Sequence, residues 1–265
     1  LVGAGRERHG GPGLLPVADA RPDSPTKFLD HALIMPVRSK RSLKLLAVSL
    51  LCLGKLCLAA AITLEGTKNT RDLGGLPVAG GHLRSGCLYR SGALCFATQA
   101  DVEKLNGLHL RTVVDLRTDK EIAKDGADRI VLQENLRLPM TSYHGLGAEA
   151  YRSMVLQNPR VLRGFFAMLA RPESYPVIYH CSAGKDRVGI LTALLLDALG
   201  TPRSVILDDY LQSQRNSPKL EVHEEWLQEV FEAVDRSGGT LSFLAIQGIP
   251  AGQLEQIRNY LTEAD

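Results

Sequence analysis

An α/β fold on a mainly parallel central sheet, flanked by helices and ending in a helical C-terminal part, is what this sequence predicts. Three observations carry that expectation. Apolar or β-branched runs at LYRS (88–91), LRTVVDLR (110–117) and VIYH (177–180) have the length and composition of buried strands. Helical stretches separate them, as parallel strands require, because a tight turn cannot join a parallel pair. Beyond the third strand the chain reads as helix almost to its end.

In chain order, residues 1–34 are rich in Gly, Pro and Arg, lack an apolar period of 2 or 3.6, and read as disordered or as an upstream extension. Residues 35–61 have the order of a secretory signal peptide: Met35, the basic PVRSKRSLK, the apolar LLAVSLLCLGKLCL, then Ala59-Ala60-Ala61 where a signal peptidase needs small residues. The stretch from Leu45 to Ala61 is short for the roughly 20 residues of a bilayer span and contains Lys55. The expectation is a secreted or periplasmic protein with no stable membrane span once the leader is removed, and membrane-anchored if it is not. Residues 62–265 then form one domain.

Within that domain, Thr98 with Asp101 three residues on has the form of a capping box and opens a helix after the first strand. Polar turn material follows the second strand, with short strands near 130–138. Asn158-Pro159 supplies an N-cap and first-turn pair for a helix to about Leu169. RVGILTALLLDALG (187–200) is a helix stopped at Gly200, and Thr201-Pro202 starts the next, through about Gln214. The chain from Glu221 onward is expected to be helical.

Composition narrows the function by exclusion. With 31 Lys and Arg against 29 Asp and Glu, the net charge of +2 supplies no general field for nucleic acid or an anionic membrane. The five cysteines, at 52, 57, 87, 95 and 181, contain no CxxC pair and no regular His spacing, so neither a metal site nor a disulfide framework is expected. Export would allow Cys87 and Cys95 to pair, and two buried thiols are the other reading.

Chemistry concentrates in His180-Cys181-Ser182-Ala183-Gly184-Lys185-Asp186-Arg187-Val188-Gly189. A buried strand delivers Cys181 to the carboxyl edge of the sheet, a short loop follows, and an apolar helix begins near Arg187. Loop N–H groups and a helix N-terminus converging on one point favour a phosphate, and the same field favours thiolate over thiol. Arg187 adds a planar set of donors suited to phosphate oxygens. The phosphate site is therefore expected to comprise Ser182, Ala183, Gly184, Lys185, Asp186 and Arg187, with Cys181 as nucleophile.

HCSAGKDRVG resembles the phosphate-binding loop of cysteine-dependent protein tyrosine phosphatases, and more narrowly the HCxAGKDR form of a bacterial tyrosine phosphatase family. Asn69-Thr70-Arg71-Asp72-Leu73-Gly74-Gly75 resembles that family's N-x-R-D-L-G-G opening, Leu88-Tyr89-Arg90-Ser91-Gly92 its L-Y-R-S-G, and Val114-Asp115-Leu116-Arg117 its V-D-L-R strand end. The resemblance spans roughly residues 64–265. It implies a tyrosine-phosphatase-like fold and a two-step, cofactor-free phosphomonoester hydrolysis through a phosphocysteine. The substrate it implies is a phosphorylated protein, with phosphoserine, phosphothreonine or a phosphoinositide as further candidates.

The resemblance makes Asp186 the general acid, and Asp115 is the alternative, unless it simply pairs with Arg71 or Arg117. Lys185 is either a contact for an additional phosphate or a solvated loop lysine. His180 either orients the loop or packs. Arg71, Asp72 and Arg90 are divided between phosphate contact and structural roles. One position departs from the pattern: Val188 stands where the family has Thr or Ser, whose hydroxyl helps the cysteine sulfur leave, so slower hydrolysis of the phosphoenzyme is expected. Val188 also motivates the alternative of a phosphate-binding pseudophosphatase. A rhodanese-like sulfurtransferase is a third reading, because it too places a cysteine between strand and helix.

Overall fold

Alternation along the strands decides the architecture. In a computed structural model, which describes residues 59–142 and 145–265, the strands are β1 (Ala60–Ala61), β2 (Arg71–Asp72), β3 (Pro77–Val78), β4 (Gly81–Leu83), β5 (Leu88–Ser91), β6 (Thr112–Asp115), β7 (Glu134–Arg137), β8 (Val177–His180) and β9 (Thr262–Glu263). Six of them form a sheet in the order β1-β2-β5-β8-β6-β7, parallel from β5 to β7 and antiparallel at the β1 and β2 edge. Successive side chains of a strand point to opposite faces. Val177, Tyr179, Leu88 and Val114 thus face the larger core, while Ile178, Tyr89 and Val113 face a smaller one with Leu94, Leu105 and Ile130. The remaining strands make a small antiparallel sheet, β3-β4-β9.

Helices cover both faces. They are α1 (Gln99–Asn106), α2 (Asp119–Asp125), α3 (Ala148–Gln157), α4 (Pro159–Leu169), α5 (Asp186–Ala198), α6 (Arg203–Asn216), α7 (Glu224–Asp235), α8 (Thr240–Ile246) and α9 (Ala251–Leu261). The central one is α5, buried on nearly every side from Val188 to Ala198, which explains why its sequence is apolar all round rather than on one stripe. Thr98 and Asp101 close the expected capping box on α1. Gly200 takes the left-handed conformation after α5, at φ +84°.

Several expectations sharpen. The segment 110–117 contributes only Thr112–Asp115 to the sheet, and 130–138 contributes the single strand β7. The material after β6 is a helix, α2, rather than turns. The C-terminal part is three helices followed by β9, which returns to pair with β4. Residues 1–58 lie outside the described residues, and with them most of the leader reading. Its last three alanines are part of the fold: Ala59 is buried, its carbonyl accepts from Gln212 at 2.9 Å, and Ala60–Ala61 pairs with β2. No helix among the described residues is long and apolar enough to cross a membrane.

Candidate active site

The site begins with the register of β8. Because β8 lies between β5 and β6, with His180 opposite both Ser91 and Asp115, the chain beyond it emerges between the ends of two parallel neighbours. Ligand sites of open α/β sheets lie at this carboxyl edge. Cys181 is next, 1% exposed, and residues 182–185 turn into α5. The turn needs Gly184: its φ is +68°, and a Cβ there would stand 2.6 Å from the Ser91 carbonyl carbon. Among the described residues, no protein acceptor takes the backbone N–H groups of Ser182, Ala183, Gly184 or Lys185. Four consecutive donors beside a helix N-terminus form a nest for an anion.

Arg187 reaches across the loop on a fixed path. Its Nη1 donates to the Leu116 carbonyl at 3.2 Å and to Glu121 Oε2 at 2.7 Å. Its Nη2 donates to Glu121 Oε1 at 2.6 Å and to Ser182 Oγ at 3.2 Å. The two terminal nitrogens therefore serve the carboxylate, and the edge formed by Nε and Nη2 remains for a phosphate, with the long Ser182 contact the one to give way. Glu121 also accepts from Ser182 Oγ and from the Thr118 N–H and hydroxyl, both at 2.8 Å. Burial pushes the Glu121 carboxyl up, but the donors from Arg187, Ser182 and Thr118 outweigh it and hold the group well below the usual carboxylate range.

Sequence reasoning missed Glu121, although Thr118-x-x-Glu121 has the capping-box spacing that opens α2. One carboxylate thus caps a helix and clamps an arginine.

Asp186 stands at the start of α5 and lines a cleft of about 200 Å³ with Arg187, Glu121, Thr118, Met140, Leu146 and Met154. Its Oδ1 accepts from the Tyr151 hydroxyl at 2.6 Å and lies 2.9 Å from Lys185 Nζ. The Lys185 side chain is not solvated, and besides Asp186 it is turned to partners outside this cleft. The side chain is 7% exposed, donates to the Glu221 carbonyl at 2.7 Å, and lies 4.8 Å from the centre of the Trp226 ring. It braces Asp186 and does not line the cleft.

Asp115 is paired. Arg117 approaches it at 2.9 Å and Arg137 at 3.0 Å. Burial would raise its carboxyl, but the Arg117 hydrogen bond, the His180 ring and the Arg117 N–H bring it below its ordinary value, the opposite of what a proton donor requires. Arg117 is the partner, not Arg71. His180 bonds Asp128 through Nε2 at 2.8 Å, so its ring is held in place behind the loop. Asp115, Asp128 and His180 lie close enough to share a metal. Arg117 already bridges the two carboxylates, at 2.9 and 2.8 Å, supplying the positive charge itself.

The remaining motifs brace the loop from behind. Asn69 Nδ2 donates to the Gly184 carbonyl at 2.8 Å, and Arg90 Nη2 donates to the same oxygen at 2.9 Å. Arg71 and Arg90 share Asp209, at 2.8 and 2.6 Å, all three side chains being at most 1% exposed. Burial and the Arg90 charge lower Arg71 to about 10, with Asp209 opposing them, so it stays protonated at neutral pH. Asp72 binds the N–H groups of Gly74 and Gly86 at 2.9 and 2.7 Å, a turn-holding role. Asp209 and Tyr151 carried no motif and were invisible in the sequence. Cys87 and Cys95 are both free thiols; Cys95 accepts from Arg117 at 3.1 Å.

A nest of amides with no acceptor among the described residues, a cysteine at one end and an arginine at the other, is the site of a cysteine-dependent phosphatase. Comparison with known proteins names the group. Residues 62–263 match the model of the tyrosine phosphatase family, and the chain belongs to that family. A Cupriavidus necator protein named as a candidate tyrosine-protein phosphatase is 33% identical over 215 residues, covering 65% of this chain and 78% of that protein. The triple specificity protein phosphatase PtpB of Mycobacterium tuberculosis is 29% identical over 212 residues, covering 64% and 75%. Among solved structures, TpbA of P. aeruginosa aligns over 72% of this chain and 97% of its own at 18% identity, with a TM-score of 0.38.

Proposed function

We propose that the protein hydrolyses phosphotyrosine by a two-step route in which Cys181 is the nucleophile, Arg187 holds the phosphoryl group and Asp186 is the general acid. The observation that carries this reading is the run of four N–H groups between Cys181 and the start of α5 that have no acceptor among the described residues. A phosphate in the nest has its phosphorus in front of the sulfur, and the Nε and Nη2 edge of Arg187 stabilises the equatorial oxygens as charge develops. Asp186 protonates the departing oxygen, water then attacks the phosphocysteine, and Asp186 takes the water's proton. Asp115 is a weak candidate for the acid because, against the penalty of burial, the Arg117 hydrogen bonds and the His180 ring hold its carboxyl below its ordinary value.

Tyrosine is favoured by the cleft wall. Leu146, exposed at the rim, offers apolar surface beside Arg187, with the buried Met140 and Met154 forming the floor behind it, a wall suited to an aromatic ring. The name of the Mycobacterium tuberculosis relative records triple specificity, and phosphoserine, phosphothreonine and phosphoinositide remain within this proposal as secondary substrates. Lys185 supports them less than its sequence position suggested, since its ammonium is occupied. Export through a leader at 35–61 to a secreted or periplasmic location is part of the same proposal. Cleavage after Ala61 would take β1 away from the edge beside β2, and the mass of the mature chain would reveal where processing falls.

The test is phosphate release by the full chain, under reducing conditions with chelator, from phosphotyrosine peptide, phosphoserine peptide and phosphoinositide, with Cys181→Ser alongside. Release from the first substrate well above the others, abolished in the Ser variant, is the expected result. Release that survives Cys181→Ser, or sulfur transfer from thiosulfate to cyanide without phosphate release, would overturn it.

A further inference from the structure

Two tyrosines are buried behind Asp186, on elements that the reaction described above does not use. Tyr151 belongs to α3 and Tyr210 to α6; both are at most 1% exposed, and their hydroxyls are 2.7 Å apart. A phenol has one proton. Tyr151 gives its proton to Asp186 Oδ1 at 2.6 Å, so the proton of the tyrosine pair must come from Tyr210. The order is fixed: Tyr210 donates to Tyr151, and Tyr151 donates to Asp186. Burial raises Tyr151 well above the ordinary tyrosine value, and the Asp186 charge adds to this once that carboxyl has given up its proton, so Tyr151 stays a donor in both states of Asp186.

The consequence falls on the two oxygens of Asp186. Oδ1 accepts from Tyr151 and meets the Lys185 ammonium at 2.9 Å, whereas Oδ2 has no partner among the described residues. We propose that Tyr151 is a positioning residue for the general acid, pinning Oδ1 so that Oδ2 carries the proton and faces the leaving group. This rests on the reading of Asp186 as proton donor. In the first step the Cys181 sulfur forms a bond to phosphorus, the bond to the phenolic oxygen breaks, and that oxygen takes the Oδ2 proton. Asp186 becomes a carboxylate whose charge is stabilised by the Tyr151 hydroxyl and the Lys185 ammonium at Oδ1. In the second step water attacks phosphorus, the S–P bond breaks, and Oδ2 receives the proton of the water.

The charged or titratable groups around this arrangement are few. Lys185 comes from the loop, Arg187 from α5 itself, Tyr151 from α3 and Tyr210 from α6, while Arg90 of β5 and Glu225 of α7 act on Tyr210 with opposite signs. Trp226 of α7 closes the back, 5.8 Å from the Tyr151 ring and under the Lys185 ammonium. The tyrosines themselves pack edge to face at 6.1 Å. Losing one hydroxyl from this packing leaves the rings in place, so phenylalanine is the informative substitution.

The experiment uses the full chain and a series of aryl phosphates whose phenols range from strongly to weakly acidic, read as kcat/KM. That ratio reports phosphoenzyme formation whichever step limits turnover. Asp186→Asn is expected to lose about 100-fold or more on phenyl phosphate and little on the most acidic phenol, which needs no proton. Tyr151→Phe is expected to lose about tenfold on phenyl phosphate and less than about twofold on the acidic phenol, and Tyr210→Phe a smaller loss with the same slope. An equal loss on all phenols in Tyr151→Phe, or none on any, overturns the proposal. A flat profile in Asp186→Asn overturns the reading of Asp186 instead, so the two failures are distinguishable. If Tyr151→Phe does not fold, Tyr210→Phe decides: a slope supports the chain of donors and no slope overturns it.

Discussion

Val188 shows how much one side chain can be asked to do. It is fully buried at the start of α5, in the same apolar cluster as Cys181, and its carbonyl accepts from Thr192 at 2.7 Å. A threonine there would keep the shape and return a donor to the region of the leaving sulfur. Val188→Thr is expected to speed hydrolysis of the phosphoenzyme by about threefold or more, at a stability cost of about 1 kcal/mol for the buried hydroxyl. Rapid-mixing kinetics check it: the parent is expected to give a burst of phenol that shrinks in the variant, and an unchanged burst would sink the idea. Residues of this kind were legible because they sit inside a motif. Glu121, Asp209 and Tyr151 were not, since each acts through partners 66, 138 and 35 positions away in sequence, and nothing local marks such contacts.

At the level of elements, the strand, loop and helix around Cys181 were readable because every signal agrees: β-branched residues in β8, a glycine at the turn, an apolar run in α5. The glycine is the sharpest constraint. Gly184→Ala places a Cβ in a left-handed position 2.6 Å from the Ser91 backbone, so either the loop or β5 must shift. We expect activity to fall by about 100-fold or more from misplacement of the nest, with Cys181 alkylation still showing a thiol present; full activity would mean the loop tolerates the shift. The elements that sequence did not reveal have a common cause. Strands β1, β2, β3 and β9 are two residues each, too short to display a period of 2. Helix α2 buries no residue and so lacks an apolar stripe, although its capping box was there to be read.

For the whole molecule, the pattern of buried carboxylates sets the response to acid. Asp209, Asp115, Asp101 and Glu121 are all penalised by burial, yet their donors hold each below its ordinary value. A carboxyl lowered in the folded state contributes stability that is complete above its unfolded value, near pH 4, and is lost as pH falls through the lowered native value. The melting temperature should therefore be level from about pH 7 to pH 5 and drop steeply below about pH 4. A decline that begins near neutrality would point to histidine and contradict this account.

Asp209 makes a further difference to the chemistry in solution. Two guanidiniums share its one carboxylate, out of reach of water, so a surplus positive charge lies behind the carbonyl of Gly184. Mobile ions cannot gather around a charge that solvent does not touch, and screening there is weak. Inhibition by inorganic phosphate should thus weaken by less than about threefold between 50 mM and 500 mM sodium chloride, where a site made of surface lysines would lose far more. The enzyme would then bind its substrate's phosphate almost equally well in dilute and in salty surroundings.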